Sequence, residues 1–191
     1  MGARLDRVFV VDVEATCWET REEQGNQPNE IIEIGICELS VRTGQIKDCF
    51  GYIVKPRFTK VTPFCTQLTG WTQAEIDEGS DISDVLPAIV RDYGLTKDHV
   101  WFSCGEYDKV KLGTGGRGSL RDLYGISRDQ AIFEQMRHVN IKTLYALKHR
   151  LSKEMGMDRM LQHMGEKLEG RHHNGADDAA NIAKIVRHVL S

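Results

Sequence analysis

The stretch Val8-Phe9-Val10-Val11-Asp12-Val13-Glu14 constrains this chain more than any other. A run of β-branched and aromatic residues without Gly or Pro reads as a buried strand. Side chains alternate faces along a strand, so Val8, Val10, Asp12 and Glu14 share one face and Phe9, Val11 and Val13 the other. Two carboxylates so spaced lie roughly 7 Å apart at their Cα atoms. At neutral pH they repel, and burying them unpaired is expensive. A strand this apolar ends in such a pair when something positive lies between them. The economical candidate is a divalent metal ion.

The 191 residues suffice for one domain, residues 1–191, with a sizeable core. No segment approaches the ~20 apolar residues of a membrane span, so no membrane partner is expected. The opening Met1-Gly2-Ala3-Arg4-Leu5-Asp6-Arg7 has no apolar core and runs straight into the first strand, so it does not read as a secretory leader. Cys17, Cys37, Cys49, Cys65 and Cys104 are odd in number, scattered, and form no CxxC pair. That predicts reduced thiols and a cytoplasmic setting, and argues against a zinc cluster or a disulfide framework. The net charge of −3 speaks against a general polyanion-binding surface. It leaves room for a nucleic-acid enzyme, because bound divalent ions offset clustered acids.

Cys17 to Asn29 is polar and reads as a loop. Glu30 to Leu39 predicts a second strand, and a turn at Arg42-Thr43-Gly44 leads to a third over Ile46 to Val54, its hairpin partner. Short helices are predicted over 63–68 and 72–77. A longer helix follows Ser80-Asp81, with Ile82, Val85, Leu86, Ile89 and Val90 at helical spacing. Val100 to Cys104 is a short apolar strand, and a helix begins near Glu106. Gly113 to Gly118 forms a loop or ends that helix. Helices are expected over 141–151, 158–164 and 176–190. A three-strand meander followed by strands alternating with helices predicts an α/β domain with a mixed sheet.

The anomaly of the first strand recurs. Ile182, Ile185 and Val189 make an apolar stripe on the last helix, and Asp178 sits four residues before Ile182, at the head of that stripe. Asp177 fits better as a first-turn acid favoured by the helix dipole. Asp108 follows the strand at 100–104, at the strand end where α/β sheets place their ligand crevices. His173, beside the turn signal Asn174-Gly175, stands at the mouth of the helix that carries Asp178. His172 reads as solvent-facing or structural, and Glu33 as a buried acid satisfied by backbone donors.

Asp12-x-Glu14, Asp108 and His173-x4-Asp178, in that order, resemble the DEDDh 3′–5′ exonucleases, the superfamily of RNase T and the DNA polymerase III proofreading subunit. Val10 to Cys17 resembles most the branch of histone-mRNA and RNA-interference-related exoribonucleases and their bacterial relatives of the sporulation-kinase-inhibitor type. Further matches are Glu30-Ile31-Ile32-Glu33-Ile34-Gly35, Phe64-Cys65-x-x-Leu68-Thr69-Gly70 and Gly170-Arg171-x-His173-x-Gly175-x-Asp177-Asp178. The resemblance runs from about Val8 to Val189. Two departures, Glu106-Tyr107 where the branch often has Ser-Trp and His172 where Pro is frequent, touch no expected metal ligand. They bear on substrate preference.

The resemblance implies an RNase H-like mixed sheet and a two-metal hydrolysis of single-stranded nucleic acid from its 3′ end, RNA favoured over DNA, to nucleoside 5′-monophosphates. Asp12 would bridge two divalent ions, Mg²⁺ or Mn²⁺, which suit an all-carboxylate site. Glu14, Asp108 and Asp178 would complete the ligand set. His173 would be the general base, its ordinary pKa near 6.5 suiting the task. Ala15, Thr16, Cys17 and Trp18 would pass the terminal nucleotide, and Leu68 and Thr69 would pack against the last bases. Trp71 suits either base stacking or the core, and Trp101 the core. Lys109, Lys111, Arg117 and Arg121 make either a phosphate track or a solvated face. Alternatives are a DNA-directed exonuclease, a phosphomonoesterase, or a regulatory module docking a protein. A protein partner that supplies specificity also fits.

Overall fold

The computed structural model describes residues 5–191; the first four residues of the opening segment lie outside the described residues. β1 (Arg7–Ala15) leads through α1 (Arg21–Gln24) to the hairpin of β2 (Ile31–Ser40) and β3 (Ile46–Ile53). Three helices follow, α2 (Pro63–Thr69), α3 (Gln73–Asp77) and α4 (Ile82–Tyr93). Then come β4 (Val100–Ser103), the short helices α5 (Tyr107–Lys111), α6 (Leu120–Tyr124) and α7 (Ile132–Gln135), and β5 (Arg137–Asn140). The chain ends in α8 (Ile141–Lys148), α9 (Met157–His163) and α10 (Gly175–Leu190). All five strands form one mixed sheet in the order β3-β2-β1-β4-β5, with β1, β2 and β3 antiparallel and β1, β4 and β5 parallel.

The expected alternation along β1 divides the core. Phe9, Val11 and Val13 pack with α4 residues Ile82, Leu86 and Ile89 on one face. Val8 and Val10 pack with Ile182, Ile185 and Val186 of α10 and with Tyr145 of α8 on the other. Trp101 is buried, as predicted. Caps set the helix starts where short polar side chains allow: Thr62 and Asp81 accept from the amides of Cys65 and Ser83. β5 was not predicted; its Arg-His-Val-Asn sequence carries no strand signal, and it forms by pairing with β4.

One prediction is overturned. Cys37 and Cys49 form a disulfide across the β2–β3 hairpin, their Cα atoms 4.1 Å apart. A bulge between Ile36 and Glu38 and a left-handed Asp48 (φ 52°) bring the two side chains together. Cys17, Cys65 and Cys104 are free thiols. The expectation of five reduced cysteines therefore fails, and with it that support for a cytoplasmic setting. Among the described residues no helix is long and apolar enough to cross a membrane.

The contact that positions the site is backbone on backbone. Gly35 in β2 lies opposite Asp12 in β1. A Cβ on Gly35 would stand 1.9 Å from the carbonyl oxygen of Gly175, the first residue of α10. Only glycine lets the helix start so close to the strand. Gly35→Ala must push α10 off the sheet, and overpacking of this kind costs about 3 kcal/mol or more. Denaturant unfolding should register that loss; an unchanged midpoint would mean that α10 does not rest on β2.

Candidate active site

The C-terminal half of β1 delivers Asp12 and Glu14, and the first turn of α10 delivers Asp178. One oxygen from each of these three carboxylates lies within 4.8 Å of the others. Asp108, from the first turn of α5, lines the same cavity of about 390 Å³, as does His173. Asp108 is steered by the strand it faces: its Oδ1 accepts from the Val13 amide at 2.9 Å. It therefore joins the pocket without entering the tight group of three.

The loop before α10 is built around the histidine. His173 is left-handed (φ 65°), a conformation unusual for a residue with a side chain. Its amide donates to Asp178 Oδ2 at 2.9 Å, and the Arg171 amide donates to Asp177 Oδ2 at 2.7 Å. Asp177 thus ties down the loop. The His173 ring turns Nδ1 toward Glu14 Oε1 at 4.0 Å and stacks on His172, ring centroids 4.0 Å apart. His172 Nε2 is 3.9 Å from Asp178 Oδ2, so His172 is part of the site wall and not only solvent-facing.

Electrostatically the site is unsatisfied. Burial, then Asp108, Glu14 and Asp178, hold Asp12 well above the usual carboxylate range. Burial and the charges of Asp178, Glu33 and Asp108 push Glu14 up to about 8. Burial raises Asp108 and Asp178 to about 6, against the opposing pull of the Val13 and His173 amides respectively. Burial and His172 hold His173 below its ordinary value. Asp178 Oδ1 is buried with no hydrogen-bond partner. A larger hollow of about 610 Å³ lies beside β3, but its buried acid, Glu38, is already paired with Arg7 and Lys47.

Not every predicted contact residue reaches the cavity. Ala15, Cys17 and Leu68 line it. Thr16 is fully buried, its hydroxyl donating or accepting at Thr59 and accepting from the Glu30 amide, and its backbone bonded to Glu30 and Asn29. Thr69 is also buried, bonded to the Cys65 carbonyl and the Trp71 amide. Trp18 is not among the lining residues. Trp71 is structural: its indole donates to Glu33 at 2.7 Å. The basic track also dissolves. Lys111 is buried and donates to the Asn29 carbonyl at 2.6 Å, Lys109 pairs with Glu106, and Arg117 and Arg121 lie away from the cavity. Sequence reasoning missed Lys142, which does line it; Tyr107, where the branch often has Trp, lines it too. Lys142 comes from the start of α8, at the C-terminal end of the unpredicted β5.

A family model described as "Exonuclease" (RNase_T) matches residues 9–105. The chain belongs to the RNase T exonuclease family. Within that family, 3′-5′ exoribonuclease 1 of Homo sapiens is 29% identical over 97% of this chain and 52% of its own length. ERI1 exoribonuclease 3 of Bos taurus is 32% identical over 96% of this chain and 53% of its own length. The chain thus spans about half the length of the curated relatives it matches. A crystal structure of a full-length 3′-exonuclease superposes with a TM-score of 0.81 at 27% identity, over 98% of this chain and 61% of that one. The nuclease domain of 3′hExo, a DEDDh family member bound to rAMP, gives 0.74 at 26% identity, over 100% and 94%. These likenesses put the exonuclease domain in the DEDDh superfamily, on the histone-mRNA exonuclease branch, with its RNase H-like fold.

The DEDDh fold implies divalent-metal dependence, and this donor set fits it. Three carboxylates converge, one buried oxygen lacks a partner, and the only ion-pair partners of Asp178 and Glu14 among the described residues are the two half-exposed histidines. A consequence for stability follows. Carboxyls whose folded pKa exceeds the unfolded value of about 4 hold protons that unfolding releases, so stability falls as pH rises through that window. Between about pH 7.5 and 9, above the pKa of about 6.5 that histidine has in an unfolded chain, Glu14 and Asp12 contribute with this sign. The metal-free protein should therefore melt several degrees lower at the upper end of that range. Asp12→Asn, which removes one repelling charge, should raise the metal-free melting temperature there. Equal melting of wild type and variant across the range would refute the electrostatic account.

Proposed function

We propose that this domain is a 3′–5′ exonuclease that removes nucleotides from single-stranded nucleic acid, RNA in preference to DNA, and releases nucleoside 5′-monophosphates. The observation that carries the proposal is the meeting of Asp12, Glu14 and Asp178 within 4.8 Å, with Asp108 and His173 in the same cavity. The RNA preference draws support from the relatives: two are named exoribonucleases, and one solved neighbour recognises the 3′ end of a histone mRNA stem-loop.

Asp12, Glu14, Asp108 and Asp178 would hold two divalent ions, Mg²⁺ or Mn²⁺, since hard oxygen donors suit those ions. Such a pair, when bound, neutralises the phosphodiester and makes water a stronger nucleophile. The protein supplies the rest. His173, kept neutral by burial, takes the proton of the attacking water at Nδ1, the ring nitrogen turned toward Glu14. The water oxygen bonds to phosphorus, and the bond from phosphorus to the 3′-oxygen of the preceding residue breaks. That oxygen leaves and takes a proton from solvent to become the new 3′-hydroxyl, while His173 returns its proton to solvent. The left-handed backbone of His173, pinned to Asp178, keeps the base beside the acids. Leu68 and Tyr107 offer the apolar wall for the terminal base, and Lys142 the cation for a substrate phosphate.

A 3′-labelled single-stranded RNA assayed with Mg²⁺ or Mn²⁺ should be shortened from its labelled end, faster than the matching DNA. Asp12→Asn or Asp178→Asn should lower kcat about a thousandfold, the loss of several kcal/mol of charge stabilisation. His173→Ala should lower it about a hundredfold or more. Wild-type turnover in any of the three, or attack on a free mononucleotide alone, would overturn the proposal. Lys142→Ala should raise KM about tenfold with kcat nearly unchanged, the signature of a lost charge-assisted contact present in both ground and transition states. An unchanged KM would remove Lys142 from the substrate path.

A further inference from the structure

A second group of ligating side chains lies at the opposite end of α10 from Asp178, about 15 Å along the helix by its rise per residue. His149 at the C-terminus of α8 and His188 in the last turn of α10 face each other, their Nε2 atoms 3.0 Å apart. Their ring planes are parallel within 5° and their centroids 5.1 Å apart. His163, at the end of α9, packs its ring at 5.0 Å from that of His149. Three helices thus bring three imidazole rings side by side, the His149 and His188 nitrogens already facing each other and the His163 Nδ1 turned to Tyr145, and the catalytic scheme uses none of them.

The hydrogen bonds ready these rings for a ligand that prefers nitrogen. Two Nε2 atoms at 3.0 Å require that one carry a proton and the other a lone pair. A cation can take the place of that single proton. Tyr145, fully buried between the rings, has its hydroxyl 3.3 Å from the Met160 carbonyl and 2.7 Å from His163 Nδ1. A hydroxyl has one proton to donate. If it goes to the carbonyl, His163 donates through Nδ1 and its Nε2 lone pair is free. Metal-ligating histidines are commonly held in this way, by a partner on the other ring nitrogen. Burial, with Lys148 and the neighbouring imidazoles, also holds His149 and His188 below the ordinary histidine value. A neutral ring is the ligating form.

We propose that His149 and His188, with His163 turning in as the third ligand, form a site for an imidazole-preferring transition-metal ion, Zn²⁺ in the first instance. The site ties the ends of α8, α9 and α10 together. Its chemistry differs from that of the carboxylate cluster: imidazole suits Zn²⁺, Ni²⁺ and Cu²⁺, whereas oxygen donors suit Mg²⁺ and Mn²⁺. The ion enters by a small opening of the ring pair, because a metal–nitrogen bond is about 2.0–2.1 Å and tetrahedral ligands must stand further apart than 3.0 Å.

The test is calorimetric titration of Zn²⁺ into the full chain with excess Mg²⁺ present to occupy the carboxylates, paired with thermal melts. One Zn²⁺ should bind per chain and raise the melting temperature. His149→Gln and His188→Gln should each abolish that binding, and Tyr145→Phe should weaken it about tenfold by releasing the His163 tautomer. RNA cleavage with Mg²⁺ alone should be unchanged in all three variants, which also certifies that they fold. Zn²⁺ binding that survives in both histidine variants would assign the ion to other groups, such as the free thiols, and overturn the site. Absence of binding to the wild type would overturn it equally.

Discussion

The carboxylate of Glu33 is the interaction on which the arrangement depends. It sits buried on β2 and accepts from the amides of Gly175 and Ala176 and from the Trp71 indole. The first amides of a helix lack partners inside the helix and carry its positive end, so a buried acid there is satisfied rather than stranded. Hydrogen bonds to a charged group contribute about 1.5–3 kcal/mol each. With the bare backbone contact of Gly35 and Gly175, this clamp fixes where α10 begins. Three residues on, Asp178 meets the carboxylates of β1. The Trp71 contact ties the segment after α2 to the same point, so the wall of the cavity and its floor share one anchor.

Around that anchor the protein accepts local instability. Glu14, Asp108 and Asp178 are buried, Asp12 stands among them on the cavity wall, and every one of the four is raised above its ordinary pKa. Two apolar layers, on either side of the central strands, stabilise the fold against this repulsion. Strain collects at the same place, since His173 is left-handed beside the helix start. A bound divalent ion would offset the repulsion, so the cost of assembling the charges falls on folding rather than on catalysis.

Much of this was legible in the residues because periodicity carries it. Strand alternation puts Asp12 and Glu14 on one face, and helical spacing puts Asp178 over the apolar stripe that packs on that face. What could not be read depends on neighbours in space. Thr16 and Thr69 sit beside motif residues, but their hydroxyls are consumed by Thr59, Glu30 and Cys65. Lys111 belongs to a charged run, yet folds inward onto the Asn29 carbonyl. The Cys37–Cys49 bond depends on a bulge that no residue pattern announces. Lys142 escaped notice because it follows β5, a strand formed only through its partner. The three histidines at the far end of α10 come from three helices and share no spacing.

The clamp at Glu33 and the Gly35–Gly175 contact would gather these acids to hold divalent cations beside a scissile phosphate. Anomalous diffraction from a crystal soaked with Mn²⁺ and a nucleoside 5′-monophosphate would locate them. Manganese peaks are expected among Asp12, Glu14, Asp108 and Asp178, with the phosphate between them and His173. Manganese found elsewhere, with these carboxylates protonated and bonded to one another, would contradict that arrangement.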